Sequence, residues 1–261
     1  MFKEVSRKEF ANGVVYALET KDGFLVETTD TFLPKYTKNA IGRNQNSLMT
    51  SELGSRKDRW MIGVSTMSGC PVGCKFCATA NLKKTRNLTA DEIYSQVRYV
   101  LDQRNESFEE AYEHKINYTR MGEPFLNIDN VKEAINRIDI DFHGTHHYVS
   151  TVGIKGSDFS WIKDNITLQI SIHSLFDEKR NWLIPFKNKM DLQELGSIRT
   201  NSHLKTTVNL TLVDESDFSI EELEKYFDKR HFFIKLSPIN PNDVSRDNNL
   251  GNGPVEGVNI I

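Results

Sequence analysis

Two stretches near the amino terminus alternate apolar and polar positions with period two, Val14-Val15-Tyr16-Ala17-Leu18-Glu19 and Gly23-Phe24-Leu25-Val26-Glu27. Between them lies Thr20-Lys21-Asp22-Gly23, and an Asp-Gly step flanked by alternating runs predicts a β-hairpin. Residues 35–59 follow neither period and are rich in Asn, Ser, Lys and Arg, which predicts a long polar loop.

From Trp60 onward the pattern becomes strand, turn, helix, repeated. Strands are predicted at Met61–Ser65, Lys115–Thr119, His147–Thr151, Ile166–His173, Thr206–Val213 and Phe232–Leu236. Thr89-Ala90-Asp91-Glu92 has the spacing of a capping box and predicts a helix through about Gln103. A second helix is predicted over Asn127–Ile138, with Val131, Ala134, Ile135 and Ile138 at helical spacing. Further helices are predicted around Asp158–Ile162, Asp191–Arg199 and Ser219–Asp228. Six alternations imply an α/β fold of parallel strands joined by helical crossovers, either open and doubly wound or curled into a partial barrel. The predicted organisation is an amino-terminal hairpin and loop (1–60), a core (61–241) and a carboxyl-terminal tail (242–261).

The 261 residues are enough for one large domain or two small ones, and neither repeats nor low-complexity tracts occur. No apolar run is long enough to cross a bilayer and no secretory segment opens the chain, which predicts a cytoplasmic protein with no membrane partner. Lys and Arg number 33 against 36 Asp and Glu, a net charge of −3 that does not favour a polyanion-gripping domain. RNA binding through a local patch stays open.

The three cysteines are more informative. They fall within Cys70-Pro71-Val72-Gly73-Cys74-Lys75-Phe76-Cys77, a CxxxCxxC run, and an odd number argues against a disulfide framework. Three thiolates on a loop made pliable by Gly69 and Gly73 can converge on one object, and soft thiolates select zinc, copper(I) or an iron–sulfur cluster. Structural zinc takes four ligands; no fourth Cys exists, and His114, the nearest His, lacks finger spacing. An iron–sulfur cubane normally takes four cysteines, so three leave one iron open to a small molecule. The plainer alternative is three thiols packed as small hydrophobes.

CxxxCxxC with the aromatic Phe76 before the last Cys resembles the motif of the radical S-adenosylmethionine (radical SAM) superfamily. The resemblance implies a [4Fe-4S] cluster on Cys70, Cys74 and Cys77, with SAM chelating the open iron. It also implies reductive cleavage of SAM to a 5′-deoxyadenosyl radical, and a partial (β/α)6 barrel, here with a short N-terminal β-hairpin extension. Further segments are similar to the RlmN/Cfr branch of RNA adenine methyl synthases: Val64–Cys70, Lys75–Ala80, Arg86–Thr89, Met121-Gly122-Glu123-Pro124, Val149–Gly153, Ser171-Ile172-His173 and Leu236–Pro241. By this resemblance Glu123 accepts from the SAM amino group, and Gly122 permits close backbone approach. Ser150, Ser171, His173 and Asn240 would contact the SAM carboxylate, ribose or adenine, and Phe76 would lie near the adenine. Taken singly, each also fits a turn, a strand-end hydroxyl or a core side chain. A reduced flavodoxin or ferredoxin is the implied electron donor.

The chain departs from that branch in three respects. No cysteine follows Cys77, so methyl transfer through a protein methylcysteine in cis is not expected. The branch's acidic general base has only ambiguous counterparts in Glu27 and Asp30, which read more simply as solvated hairpin charges. Arg120 stands where the branch has a small residue and would either hold an anionic substrate or pair with a carboxylate. The sequence thus predicts a radical SAM enzyme of unidentified substrate. RNA adenine methylation by another methyl route, and a non-catalytic iron–sulfur or SAM-binding protein, are the alternatives.

Overall fold

Strands appear at each of the six predicted core positions in a computed structural model that describes residues 2–35, 53–211 and 218–251. The chain divides into two units, one comprising residues 1–68, 87–121 and 127–148, the other residues 69–86, 122–126 and 149–261.

In the first unit, strands β1 (Lys3–Phe10), β2 (Gly13–Glu19), β3 (Leu25–Leu33) and β4 (Arg59–Gly63) are successively antiparallel. β4 then pairs in parallel with β5 (Glu113–Tyr118), and the start of β6 (His146–Thr151) follows in the strand order. Helices α1 (Ala90–Leu101) and α2 (Ile128–Asp141) bury one apolar face each, Ile93, Val97 and Val100 on the first and Val131, Ala134, Ile135 and Ile138 on the second. The predicted capping box is formed: the Glu92 N–H donates to Thr89 Oγ1 at 3.2 Å, and the Thr89 N–H to Glu92 Oε2 at 2.9 Å. Such a cap is worth about 1 kcal/mol. The core gathers Tyr16, Leu18, Trp60, Ile62, Ile116 and Tyr118, all with at most 1% exposure.

In the second unit the end of β6 is followed by β7 (Ile166–Ser171), β8 (Thr206–Thr211) and β9 (Phe232–Ser237). β7 pairs in parallel with β8, and β8 with β9, in continuous register. α3 (Asp177–Leu183) and α4 (Leu192–Gly196) connect β7 to β8, α5 (Ile220–Tyr226) connects β8 to β9, and α6 (Asp243–Asp247) follows β9. Ile166, Leu168, Ile170, Val208 and Leu210 are buried, as the continuous apolar character of parallel strands requires. No helix among the described residues is long and apolar enough to cross a membrane.

Three local expectations need correction. Asp158–Ile162 is irregular chain with a single turn at Ser160 and Trp161, because the Asp158 carboxylate accepts from the Ser160 N–H at 2.8 Å and its hydroxyl at 2.9 Å. That Asx turn competes with helix formation. Strand β1 was not foreseen, since Lys-Glu-Val-Ser-Arg-Lys-Glu-Phe exposes nearly every side chain and shows no apolar alternation. Asp30 is fully buried, not a solvated hairpin charge. Most of the loop expected over 35–59, and the chain beyond residue 251, lie outside the described residues, as do the last two residues of the strand expected over Thr206–Val213.

Asp30 organises the first unit's polar interior. Its carboxylate accepts from Arg56 Nη2 at 2.7 Å, Arg104 Nε at 2.7 Å and Trp60 Nε1 at 2.8 Å. Arg104 in turn donates to the Tyr16 hydroxyl at 2.9 Å. Asp30→Ala leaves two guanidinium groups and an indole N–H facing an apolar gap. Denaturant unfolding should show a loss of about 3 kcal/mol, the low end for breaking a buried pair because both arginines keep some solvent contact; an unchanged midpoint would contradict the assignment.

Candidate functional site

All the sequence-predicted site residues belong to the second unit: Cys70, Cys74, Cys77, Phe76, Gly122, Glu123, Ser150, Ser171, His173 and Asn240. The cysteine loop leaves Gly69 at φ +69°, where a Cβ would lie 2.6 Å from the Lys84 carbonyl oxygen. A side chain there would both strain the backbone and collide with the loop's return. Within the loop all three thiols are free and only partly exposed.

Their electrostatics are distinctive. Burial pushes the Cys70 thiol up to about 12, helped by the charges of Glu123 and Cys77, and burial, then the charges of Cys77 and Cys70, also raises Cys74 well above the usual thiol range. The thiols are thus close enough on the loop for each to sense the charge of the others. Without a cation Cys70 and Cys74 stay protonated; a coordinated metal would reverse the balance, because a coordinating thiol ionises. Among the described residues no three His, Cys, Asp or Glu side chains are arranged for a single metal ion, so the fit rests on the donor set. Three soft donors on one short loop, none of them in a disulfide, suit an iron–sulfur cluster.

The loop is held by residues that sequence reasoning missed. Asn242 Nδ2 donates to the Phe76 carbonyl at 2.9 Å, Asn248 Nδ2 to the Lys75 carbonyl at 3.1 Å, and the Lys75 N–H to the Leu183 carbonyl at 3.0 Å. Asn242 is also the N-cap of α6, in a capping box with Ser245. That spacing, Asn-x-x-Ser, was the only available signal.

Glu123 is 3% exposed. Its Oε1 accepts from the Phe125 N–H at 3.1 Å and its Oε2 from the Val152 N–H at 2.9 Å. Burial pushes its carboxyl up to about 7, against the lowering effect of hydrogen bonds from Thr151, Val152 and Phe125. A carboxylate offers about four lone-pair positions, so acceptor capacity remains for a ligand N–H. Gly122, at φ +102°, carries the chain into this arrangement.

His173 is buried and adopts φ +60°, a left-handed conformation that costs a non-glycine residue about 1–3 kcal/mol. Its Nδ1 accepts from the Thr211 N–H at 3.1 Å, which leaves the proton on Nε2. Burial, then the charge of Arg180, pushes it down to about 3, so it is a neutral donor throughout the physiological range. The Phe76 ring packs edge-on against it, with centroids 4.5 Å apart. Ser150 and Ser171 lie 3.2 Å apart, Oγ to Oγ, near the carboxyl ends of β6 and β7. Asn240 is exposed, and its carbonyl accepts from Asn242. Arg180, 1% exposed, donates to the Val152 carbonyl at 3.1 Å and the Met190 carbonyl at 2.8 Å, fixing the turn that presents the Val152 N–H to Glu123.

Of the remaining candidates, Arg120 pairs with Glu27 through its Nε at 2.8 Å, in the first unit. The local-carboxylate reading of Arg120 is the one realised. Asp30 is locked between two arginines and acts structurally.

Removal of both asparagine clamps should loosen the cysteine loop without unfolding the unit. In the metal-free protein, Asn242→Ala with Asn248→Ala should speed alkylation of the three thiols several-fold, read by mass spectrometry under reducing conditions. Equal rates in the variant and the parent would show that the clamps are dispensable.

The chain's similarities to known proteins converge on one family. The Radical SAM superfamily pattern matches residues 64–227. A probable dual-specificity RNA methyltransferase RlmN of Christiangramia forsetii is 28% identical, covering 85% of this chain and 66% of that protein. One of the same description from Koribacter versatilis is 35% identical over 76% of this chain and 56% of its own length. The present chain thus spans between half and two thirds of these curated relatives. Among solved structures, a radical SAM methyltransferase from Sphaerobacter thermophilus has a TM-score of 0.67 at 24% identity, covering 92% of this chain and 67% of that one, which establishes the α/β fold with its mostly parallel sheet. The chain belongs to the radical SAM superfamily, a class of enzymes built on a [4Fe-4S] cluster and S-adenosylmethionine.

Proposed function

We propose that Cys70, Cys74 and Cys77 hold a [4Fe-4S] cluster with one iron open to SAM, and that the protein is an enzyme acting on a substrate through SAM-derived radical chemistry. When bound, the cluster supplies one electron to the SAM sulfonium, and the resulting 5′-deoxyadenosyl radical abstracts hydrogen. A reduced flavodoxin or ferredoxin is the proposed donor, and a reducing cytosol the proposed setting. The observation that carries the reading is three free thiols on one short loop of the unit that also holds the buried Glu123 carboxylate.

The chain's own residues supply binding and orientation. Glu123 accepts a hydrogen bond from the SAM amino group, a charge-assisted contact strengthened by low dielectric surroundings. Gly122 lets the backbone approach the ligand. Neutral His173 donates through Nε2, with its ring held by Phe76 and Thr211. Ser150, Ser171 and Asn240 offer hydroxyl and amide groups to the ligand's carboxylate and ribose. Met121, buried beside this segment in the sequence, has no proposed part in binding.

An RNA substrate is the second reading, favoured by the curated relatives described as probable dual-specificity RNA methyltransferases. Those relatives are longer than this chain, so their methyl route is not carried over.

Anaerobic reconstitution should load about four irons per chain, and dithionite with SAM should then yield 5′-deoxyadenosine. Replacing all three cysteines with Ala should abolish both. Loaded wild type that forms no 5′-deoxyadenosine would refute the catalytic reading. The raised Glu123 carboxyl gives a second expectation. Its anion is the SAM-binding form, so affinity should rise as pH climbs through about 7, by roughly tenfold between pH 6 and pH 8. Glu123→Gln should bind more weakly and lose that dependence; a wild-type affinity flat across this window would contradict the role of Glu123.

A further inference from the structure

We propose that a basic pocket at the amino-terminal ends of β8 and β9 binds a phosphate group. The pocket encloses about 150 Å³ and is lined by Arg199, His203, Lys205, Arg230 and His231, with no acidic side chain among its described lining residues. That volume falls below the range of pockets that enclose drug-sized molecules and suits a single tetrahedral oxyanion. It lies at the end of the parallel strands opposite to Ser171 and His173, so it does not belong to the site described above.

The charge in this pocket is only partly compensated. Arg230 pairs with Asp228 at 2.5 Å and His203 with Asp164 at 2.8 Å. Arg199 and Lys205 have no carboxylate partner among the described residues. Arg199 Nη1 donates to the carbonyls of Gly196 at 3.0 Å and Ile198 at 2.7 Å, and Lys205 Nζ donates to the Lys229 carbonyl at 2.6 Å. Neutral acceptors orient these cations without cancelling their charge. A guanidinium carries five N–H donors and an ammonium three, so each keeps spare donors for a ligand. Arg199 is further steadied over the Phe232 ring, 6.0 Å from its centroid. Pre-oriented donors lose less side-chain entropy when an anion binds. A positive concavity of this kind on a chain of net charge −3 is a local feature, not a consequence of composition.

The phosphate has two sources of the same chemistry, a nucleic-acid backbone or free phosphate, and the test separates them. The full chain is compared with the variant Arg199→Ala, Lys205→Ala and with Lys8→Ala, a charge control on the exposed β1. Inorganic phosphate is titrated by thermal shift against chloride of equal ionic strength, and a single-stranded RNA oligonucleotide by fluorescence anisotropy across salt concentrations. For a backbone phosphate, the double variant should bind RNA about tenfold more weakly or worse, and its log–log salt slope should be shallower by about 1.4. For free phosphate, the saturable thermal shift of the wild type should disappear in the double variant while RNA binding is unmoved. In either case Lys8→Ala should match the wild type. If the double variant equals the wild type with both probes, or Lys8→Ala is weakened as much, the proposal is wrong. These readouts do not depend on the cluster, so they stand or fall apart from the radical reading.

Discussion

Three thiols on one short, partly buried loop, close enough to repel one another's charge, resist ionising together unless a cation joins them. Burial and mutual repulsion both push Cys70 and Cys74 upward, and the buried carboxylate of Glu123 adds to the penalty on Cys70. The fold nevertheless maintains this arrangement. It holds the loop by its carbonyls through Asn242 and Asn248 and keeps Gly69 in a conformation that a side chain would oppose. Such a loop resists ionisation on its own, and the metal proposed to bind there would offset that cost by stabilising the thiolates.

The same economy of means governs the surroundings. Glu123 is kept buried by two main-chain N–H groups, one of them presented by a turn that Arg180 fixes from the other side. Burial and the charge of Arg180 keep His173 neutral, while the bond from Thr211 and the Phe76 ring hold its imidazole in place. Each side chain proposed to meet the ligand is thus set by a second residue whose own position comes from packing, the arrangement that holds a binding geometry within narrow limits. In the first unit, by contrast, buried charge is neutralised internally. Asp30 consumes two arginines and an indole N–H, and Gln96 satisfies Ser65 and Thr28 inside the core. These networks stabilise the scaffold and leave nothing for a ligand.

Much of this was legible in the sequence where one residue type carries a physical requirement. The parallel strands were visible because buried strands need continuous β-branched and aliphatic runs, and α1 because its capping box is a local pattern. The CxxxCxxC loop was visible because few chemistries need three soft donors so close together. What escaped depends on partners distant in sequence. Asn242 and Asn248 are ordinary loop amides until the fold brings them to carbonyls at Phe76 and Lys75, more than 160 positions away. Asp30 looked like a hairpin charge because its partners, Arg56 and Arg104, lie in separate segments. β1 was missed because an exposed edge strand has no apolar face to betray it, and the Asp158 turn was misread because its side chain, not its period, decides the backbone.

The central claim is that the three thiols leave one iron open and that SAM occupies it. Electron–nuclear double resonance on the reduced, cluster-loaded protein, with SAM isotopically labelled in its carboxylate and amino groups, tests this directly. The account predicts hyperfine coupling from both labels to the cluster's unpaired spin, lost when Cys74 is replaced. A reduced cluster that shows no coupling to either label would contradict it.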